Sequence, residues 1–154
     1  MRFKTLSATV LALSAALVGV SASAADTLKF GKAEDAIKYR QNALFVMSQH
    51  FGSLGAMANG RAEFNADVAK QNAQVLQTLA ALPWQAFGAG TEGGKAKPDI
   101  WKEKAKFDEA AQNYETEMGK LVAAAKTGDL AQLKAAFGPA AQTCKACHDA
   151  FRNR

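Results

Sequence analysis

The sequence predicts an all-α fold, an antiparallel up-down-up-down four-helix bundle. Alanine, glutamine, lysine, glutamate and leucine dominate the chain after its first 25 residues, and these residue types favour helices. No stretch shows sustained alternation of apolar and polar residues, the pattern of half-buried strands. The turn signals Asn59-Gly60 and Thr127-Gly128-Asp129 separate long helical stretches, so helices joined by short connections are expected.

The first predicted helix covers about Ala33–Ala58, and the second about Asn65–Ala80. One stripe of the first helix should face inward, with Arg40 and Met47 beside it; it consists of Ile37, Gln41, Leu44, Ser48 and Phe51. Pro83 lies just beyond the end of the second helix. The Asn59-Gly60 stop leaves only a short connection, so these two helices should be antiparallel neighbours.

The third predicted helix opens at Pro98 and continues to about Lys126, and the fourth runs from Asp129 to about Arg152. Asp129 can cap the fourth helix, which should be kinked or split at Gly138-Pro139 because proline lacks a backbone donor. The connection Ala81–Lys97 is long and rich in glycine, with Trp84 and Phe87. It suits either a segment along the edge of a flat prosthetic group or a plain surface loop.

Residues 1–24 are predicted to be a secretory signal peptide, cleaved after residue 24 or 25. Arg2 and Lys4 precede the apolar run Leu6–Val20, and Ala22-Ser23-Ala24 offers small residues for cleavage. The alternative is an N-terminal membrane anchor. Once the signal peptide is removed, residues 25–154 should form one domain. No segment after Val20 is apolar enough to span a bilayer.

The charge of the mature chain does not indicate a nucleic-acid partner. Removing Arg2 and Lys4 with the signal lowers the formal net charge from +5 to +3, since 17 Lys and Arg then face 14 Asp and Glu. Binding to nucleic acid would call for basic residues clustered on one face. We expect neither nucleic acid nor, after signal removal, a membrane as a partner.

The run Cys144-Lys145-Ala146-Cys147-His148 holds both cysteines of the chain and is the attachment signature of c-type haem. Cys144 and Cys147 would form thioethers with one haem per chain, placed in the bundle core, and His148 would be an axial ligand of the iron. Covalent haem attachment takes place outside the bacterial cytoplasm, which agrees with an export signal and predicts a periplasmic protein. Two other interpretations of the cysteine pair are disfavoured. A thioredoxin-like redox pair would follow a β-strand, and the sequence shows no strand pattern. A zinc site would need a fourth ligand, and His50 is the only other histidine.

The second axial position decides between two kinds of haem protein. Any second ligand must come from upstream, and the candidates are His50, Met47, Met57 and Met118. On the inward stripe of the first helix the residue nearest its middle is Leu44, which cannot bind iron. Met47, one turn further on, could bind it or could simply fill the core.

The mature chain resembles cytochrome c′, the class II c-type cytochromes. The resemblance rests on residues 34–41, on Leu82–Gly88 with Thr91-Glu92-Gly93-Gly94, and on Cys144–Arg152. It implies a homodimer built through the first two helices and a single protein axial ligand, His148. It also implies haem contacts from Arg40, Gln41, Thr91 and Glu92, an apolar lid at Leu44, and a basic residue, Arg152, on the proximal side.

We therefore expect a five-coordinate, high-spin haem protein that binds nitric oxide and carbon monoxide and can transfer electrons. The alternative is a low-spin electron carrier with Met47 as sixth ligand, a pairing that raises the reduction potential. A peroxidase-type enzyme would need a distal acid or base, which the first helix does not offer. We expect a binding and electron-transfer protein, not an enzyme.

Overall fold

The computed structural model describes residues 28–154, so the predicted signal peptide and its cleavage site lie outside the described residues. Five α-helices and one 3₁₀ turn make up this part of the chain. The helices are α1 (Ala33–Ala58), α2 (Ala66–Leu79), α3 (Asp99–Lys102), α4 (Lys104–Thr127) and α5 (Leu130–Phe151), with the 3₁₀ turn at Pro83–Ala86. None of these helices combines the length and the hydropathy needed to cross a membrane.

The four long helices form the predicted four-helix bundle. Each packs against two others, because α1 contacts α2 and α5 while α4 contacts α2 and α5. The bundle core contains Leu54, Leu76, Leu121 and Leu133, all fully buried. Gly55 lets α1 approach α5 closely, since a Cβ there would lie 2.5 Å from Cζ of Phe137.

Side-chain caps fix where two of the helices begin. Asn65 accepts hydrogen bonds from the backbone N–H groups of Asp67 and Val68, both at 3.0 Å, and so starts α2. Asp129 accepts from the N–H groups of Ala131 and Gln132, which confirms its predicted role as the cap of α5. Gly128 between α4 and α5 has a φ of +74°, which residues with a Cβ rarely adopt.

The structure departs from the predicted helices at two places. The helix expected from Pro98 to Lys126 is broken at Glu103, whose ψ of +46° ends α3 after one turn. Trp101 ties that turn to the long connection, because its indole N–H donates to Gly88 O at 2.8 Å. The predicted split at Gly138-Pro139 does not occur, and α5 continues through Pro139. Pro139 has no N–H to donate to the carbonyl of Ala135. Both residues are exposed, so water can donate to that carbonyl instead.

The long connection between α2 and α4 is fixed at both ends to the bundle. Near its end it pairs with the terminus of α5, where Lys97 N donates to Phe151 O at 2.9 Å and Asn153 N donates to Lys95 O at 2.8 Å. The Lys97 ammonium also donates to Asp149 O and Ala150 O, two of the last carbonyls of α5. The connection is therefore a built wall of the molecule and not a plain surface loop.

Candidate functional site

A cavity of about 640 Å³ lies between α1, the first half of α4, the end of α5 and the long connection. Its volume falls within the range of roughly 300–1,000 Å³ that is usual for small-molecule and cofactor sites. Most of its wall is aromatic or aliphatic. The aromatic residues on the wall are Phe45, Phe51, Trp84, Phe87, Phe107, Tyr114 and Phe151.

The three residues of the haem motif line one wall of this cavity. Cys144, Cys147 and His148 lie on the last turns of α5, where a spacing of three or four residues places them on one helical face. Both cysteines are half-buried and unpaired with each other. Burial raises the pKa of the Cys144 thiol, and burial together with Cys144 raises the pKa of Cys147 to about 11.

The surroundings of His148 favour the neutral form of its imidazole. Partial burial lowers the pKa of His148, and the neighbouring Arg152 guanidinium lowers it further. A neutral imidazole is the form that binds metal ions. Arg152 follows the end of α5 and also lines the cavity.

Helix α1 forms the wall that carries the distal candidates. Leu44 and Met47, one helical turn apart, both line the cavity, and so does Gln41. Gln41 lies against Gly94 of the long connection, where its Nε2 is 2.9 Å from the position that a Cβ would take. The φ of +62° at Gly94 allows the backbone to pass this close to α1.

The other candidate sixth ligands lie elsewhere in the fold. His50 is directed at α2, where its Nδ1 lies 2.7 Å from Oδ1 of Asn72, and it does not line the cavity. Met57 and Met118 belong to the bundle core and do not line the cavity either. Of the four candidates, Met47 alone contributes to the cavity wall of the described chain.

Arg40 lines the cavity but is committed to the long connection. It is only 3% exposed, and its guanidinium donates to Ala86 O and Thr91 O at 2.8 Å and to Gly93 O at 3.0 Å. The guanidinium carbon lies 4.5 Å from the centre of the Phe87 ring. Burial lowers the pKa of Arg40, an effect opposed by the nearby Glu92 carboxylate. Arg40 thus holds the wall of the site in place.

Thr91 and Glu92 are not among the residues that line the cavity. Thr91 accepts from Arg40 through its backbone carbonyl, and its hydroxyl donates to Gly88 O at 2.7 Å. Glu92 is exposed, and its charge acts on Arg40. The structure therefore connects both residues to the site through Arg40.

Trp84 is the main site residue that sequence reasoning did not assign. Its ring lies edge-on to Tyr114 at 5.4 Å and to Phe107 at 6.1 Å. Its indole N–H is buried and is the one buried side-chain polar atom without a hydrogen-bond partner in the described chain. Buried donors are normally satisfied, so this N–H fits a site in which a bound group supplies an acceptor. The sequence feature that could have identified Trp84 as a site residue is the pair of aromatics, Trp84 and Phe87, in the glycine-rich connection.

The donor set and the cavity together fit a covalently attached haem. Two adjacent thiols and an imidazole lie on one wall, an apolar helix forms another, and a buried N–H lacks an acceptor. Haem offers two vinyl groups to such thiols, an iron to the imidazole and carboxylate oxygens to donors.

Comparison with known proteins gives one consistent family. The family model described as "Cytochrome C'" matches residues 35–152. The chain is 51% identical to cytochrome c′ of Alcaligenes xylosoxydans xylosoxydans over 126 residues, which cover 82% of this chain and 99% of the relative. It is 46% identical to cytochrome c′ of Rubrivivax gelatinosus over 129 residues, which cover 82% of this chain and all of the relative.

Solved structures agree with these relatives. A cytochrome c′ structure matches with a TM-score of 0.78 at 51% identity, covering 81% of this chain and 100% of the other. The nitric oxide complex of a leucine-to-valine variant of cytochrome c prime from Alcaligenes xylosoxidans matches with a TM-score of 0.78 at 50% identity. That match covers 82% of this chain and 100% of the other.

Proposed function

Because this chain belongs to the cytochrome c′ family, we propose that it is a periplasmic protein whose five-coordinate, high-spin haem binds nitric oxide and carbon monoxide and can exchange electrons. The family carries covalently bound haem c, and we assign its thioethers to Cys144 and Cys147 and its axial ligand to His148. When bound, the haem supplies a redox-active iron that takes diatomic gases at an open axial position. Residues 1–24 would direct the chain to the periplasm.

The observation that carries this proposal is the character of the α1 wall. Leu44, Phe45 and Phe51 make it largely apolar, and the Ser48 hydroxyl donates to Phe45 O of the same helix at 2.6 Å. Arg40 is the one ionisable residue that α1 contributes to the described cavity wall, and it faces the long connection. Such a wall admits a small neutral gas and offers no acid or base for peroxide chemistry, so we propose a binding protein and not an enzyme.

The second candidate, a low-spin electron carrier, is favoured by the position of Met47 on that wall. Against it, Met47 is 4% exposed and belongs to the bundle core with Leu54 and Met118. A thioether that fills the core must leave its contacts before it can bind iron. We therefore assign Met47 to packing and Leu44 to the lid.

Optical spectra of the haem-loaded protein test this assignment. We expect a high-spin resting spectrum that changes on adding nitric oxide, and no change of spin state in Met47→Leu. Met57→Leu is the matched control, since Met57 is equally buried but lies away from the cavity. A low-spin resting spectrum that becomes high-spin only in Met47→Leu would replace our proposal with the second candidate.

Carbon monoxide affinity tests the lid. Leu44→Ala removes most of a side chain that lines the cavity and should raise the affinity if that side chain obstructs the bound gas. An unchanged affinity would remove Leu44 from this role.

We also propose that the protein forms a homodimer through α1 and α2. Apolar side chains are exposed on these helices, with Phe45 at 64%, Val46 at 40% and Val68 at 39%. Val46 also lines a shallow hollow of about 270 Å³ with Tyr39 and Leu79. Sedimentation should give a dimer that Val46→Glu weakens; a monomeric wild-type protein would contradict this.

A further inference from the structure

The pairing of the long connection with the end of α5 gathers basic residues at one place. Ala96 and Arg152 form an antiparallel bridge, flanked by the backbone hydrogen bonds of Lys95 with Asn153 and of Lys97 with Phe151. Both paired segments are basic, and together they carry four cationic residues. We call Lys95, Lys97, Arg152 and Arg154 the basic strip.

The basic strip lies at the edge of the cavity that holds the haem motif. Lys95 and Arg152 line that cavity, together with Cys147 and His148. Arg154, at the chain end, is near enough to lower the pKa of the Asp149 carboxyl. The strip is therefore positive where the cavity meets the surface.

The nearby carboxylates Asp149 and Glu92 each have a partner outside the strip. Asp149 is paired with Lys145 one turn before it, so that pair is neutral. Lys97 donates to two α5 carbonyls, which satisfies its ammonium without removing its charge. Glu92 lies earlier in the connection, where its charge acts on Arg40. A partner that carries the opposite charge would be attracted to the basic strip.

We propose that the basic strip is the docking surface for an acidic redox protein that exchanges one electron with the haem iron. This inference rests on the proposed function. The bound haem would supply a one-electron couple: as the partner's centre is reduced by one electron, the iron would pass from ferrous to ferric, and no bond would be made or broken. A positive rim at the edge of the site attracts and orients a partner with surface carboxylates, which raises the rate of productive encounter.

The electrostatic part is tested by stopped-flow oxidation of the ferrous protein with hexacyanoferrate(III), a small trianion. Arg154→Glu should slow the reaction about fivefold at about 10 mM ionic strength, and the difference should vanish at about 1 M. Lys134→Glu is the matched control, because Lys134 is exposed near the start of α5, at the opposite end of the helix. The trication tris(phenanthroline)cobalt(III) should react faster with Arg154→Glu. The reduction potentials of both variants should also be measured, because they show whether a changed rate comes from the driving force of the reaction or from the rate at which the oxidant and the protein associate.

Equal slowing by the two variants would show that net charge matters and not the strip, and no slowing by either would overturn the proposal. A normal nitric oxide spectrum in Arg154→Glu shows that the proposed function survives such a failure. If the wild-type protein did not bind nitric oxide at all, the proposed function itself would be contradicted.

The partner class is tested by calorimetric titration of the haem-loaded protein with poly-L-glutamate at low ionic strength. The double variant Lys95→Glu/Arg154→Glu should bind at least tenfold more weakly, while Lys134→Glu should bind like wild type. The Lys95 side chain is exposed, and only its backbone carbonyl takes part in the pairing, so the double variant should keep that pairing. Equal weakening in the control, or tighter binding of a single-stranded RNA of the same charge, would overturn the assignment.

Discussion

Replacing Arg40 with methionine should loosen the wall of the haem site without changing the haem motif. Methionine keeps an unbranched apolar side chain but removes the charge and every donor. The guanidinium now holds three carbonyls of the long connection. Its loss should lower the free energy of unfolding and expose the backbone between Gly88 and Gly94 to solvent.

The size of the effect depends on which hydrogen-bond donors remain for each of the three carbonyls. Ala86 O can share the Thr91 hydroxyl proton, at 3.2 Å, with Gly88 O at 2.7 Å, and Gly93 O still accepts from Ala96 N at 3.3 Å. Thr91 O loses its donor. One unshared charge-assisted bond contributes about 1.5–3 kcal/mol, and the contact with Phe87 adds about 0.5–2 kcal/mol. Release of the buried charge offsets part of this, so we expect a loss of about 3 kcal/mol.

Denaturant unfolding of the haem-loaded protein measures the loss, and hydrogen exchange of the Gly88–Gly94 amides locates it. Arg61→Met is the matched control, because Arg61 is exposed in the turn between α1 and α2. The reasoning is refuted if Arg40→Met unfolds like Arg61→Met and leaves the amides of the connection equally protected.

Three further changes test separate features. Gly55→Ala should lower the free energy of unfolding by about 1–3 kcal/mol, because its Cβ would meet the Phe137 ring. Gly119→Ala is the control and should stabilise the helix by about 0.5–1 kcal/mol, because the space around Gly119 is open. Equal thermal midpoints of the two variants would refute the close approach of α1 to α5. Asp129→Ala should lower the thermal midpoint at neutral pH. Backbone N–H donors lower the pKa of Asp129 in the fold, so its stabilising effect is present above the unfolded pKa and is lost as the pH falls through the folded one, and the two proteins should converge in acid. A constant difference would contradict this. Trp84→Phe should lower the unfolding free energy of the loaded protein by about 1–2 kcal/mol, and an unchanged value would mean that its N–H has no acceptor there.

Features set by neighbouring residues could be predicted from the sequence. The ends of α1 and the capping of α5 by Asp129 depend on contacts within a few residues. The break at Glu103 could not be predicted in this way, because it accompanies the bond from Trp101 to Gly88, thirteen residues earlier. Pro139 misled for a similar reason, since the cost of its missing donor depends on whether the freed carbonyl reaches water.

The same division holds within the site. Cys144, Cys147 and His148 share a wall because they share two helical turns, so the motif alone predicted it. Trp84 belongs to the site only because the connection folds back over the bundle. Arg40 was expected to contact the haem, and the structure gives its donors to backbone carbonyls, which no spacing rule reveals.

The sixth coordination position depends on competition between packing and ligation. The fold reduces four candidates to Met47 by turning His50 toward Asn72 and burying the other methionines in the core. Leu44 and Met47 line the same wall, yet Met47 also fills bundle core. Withdrawing a buried methionine from its contacts costs about 2–5 kcal/mol, judged from truncation to alanine. An iron–sulfur bond must exceed that cost to close the position, so the resting spin state, compared between wild type and Met47→Leu, measures which of the two energies is larger.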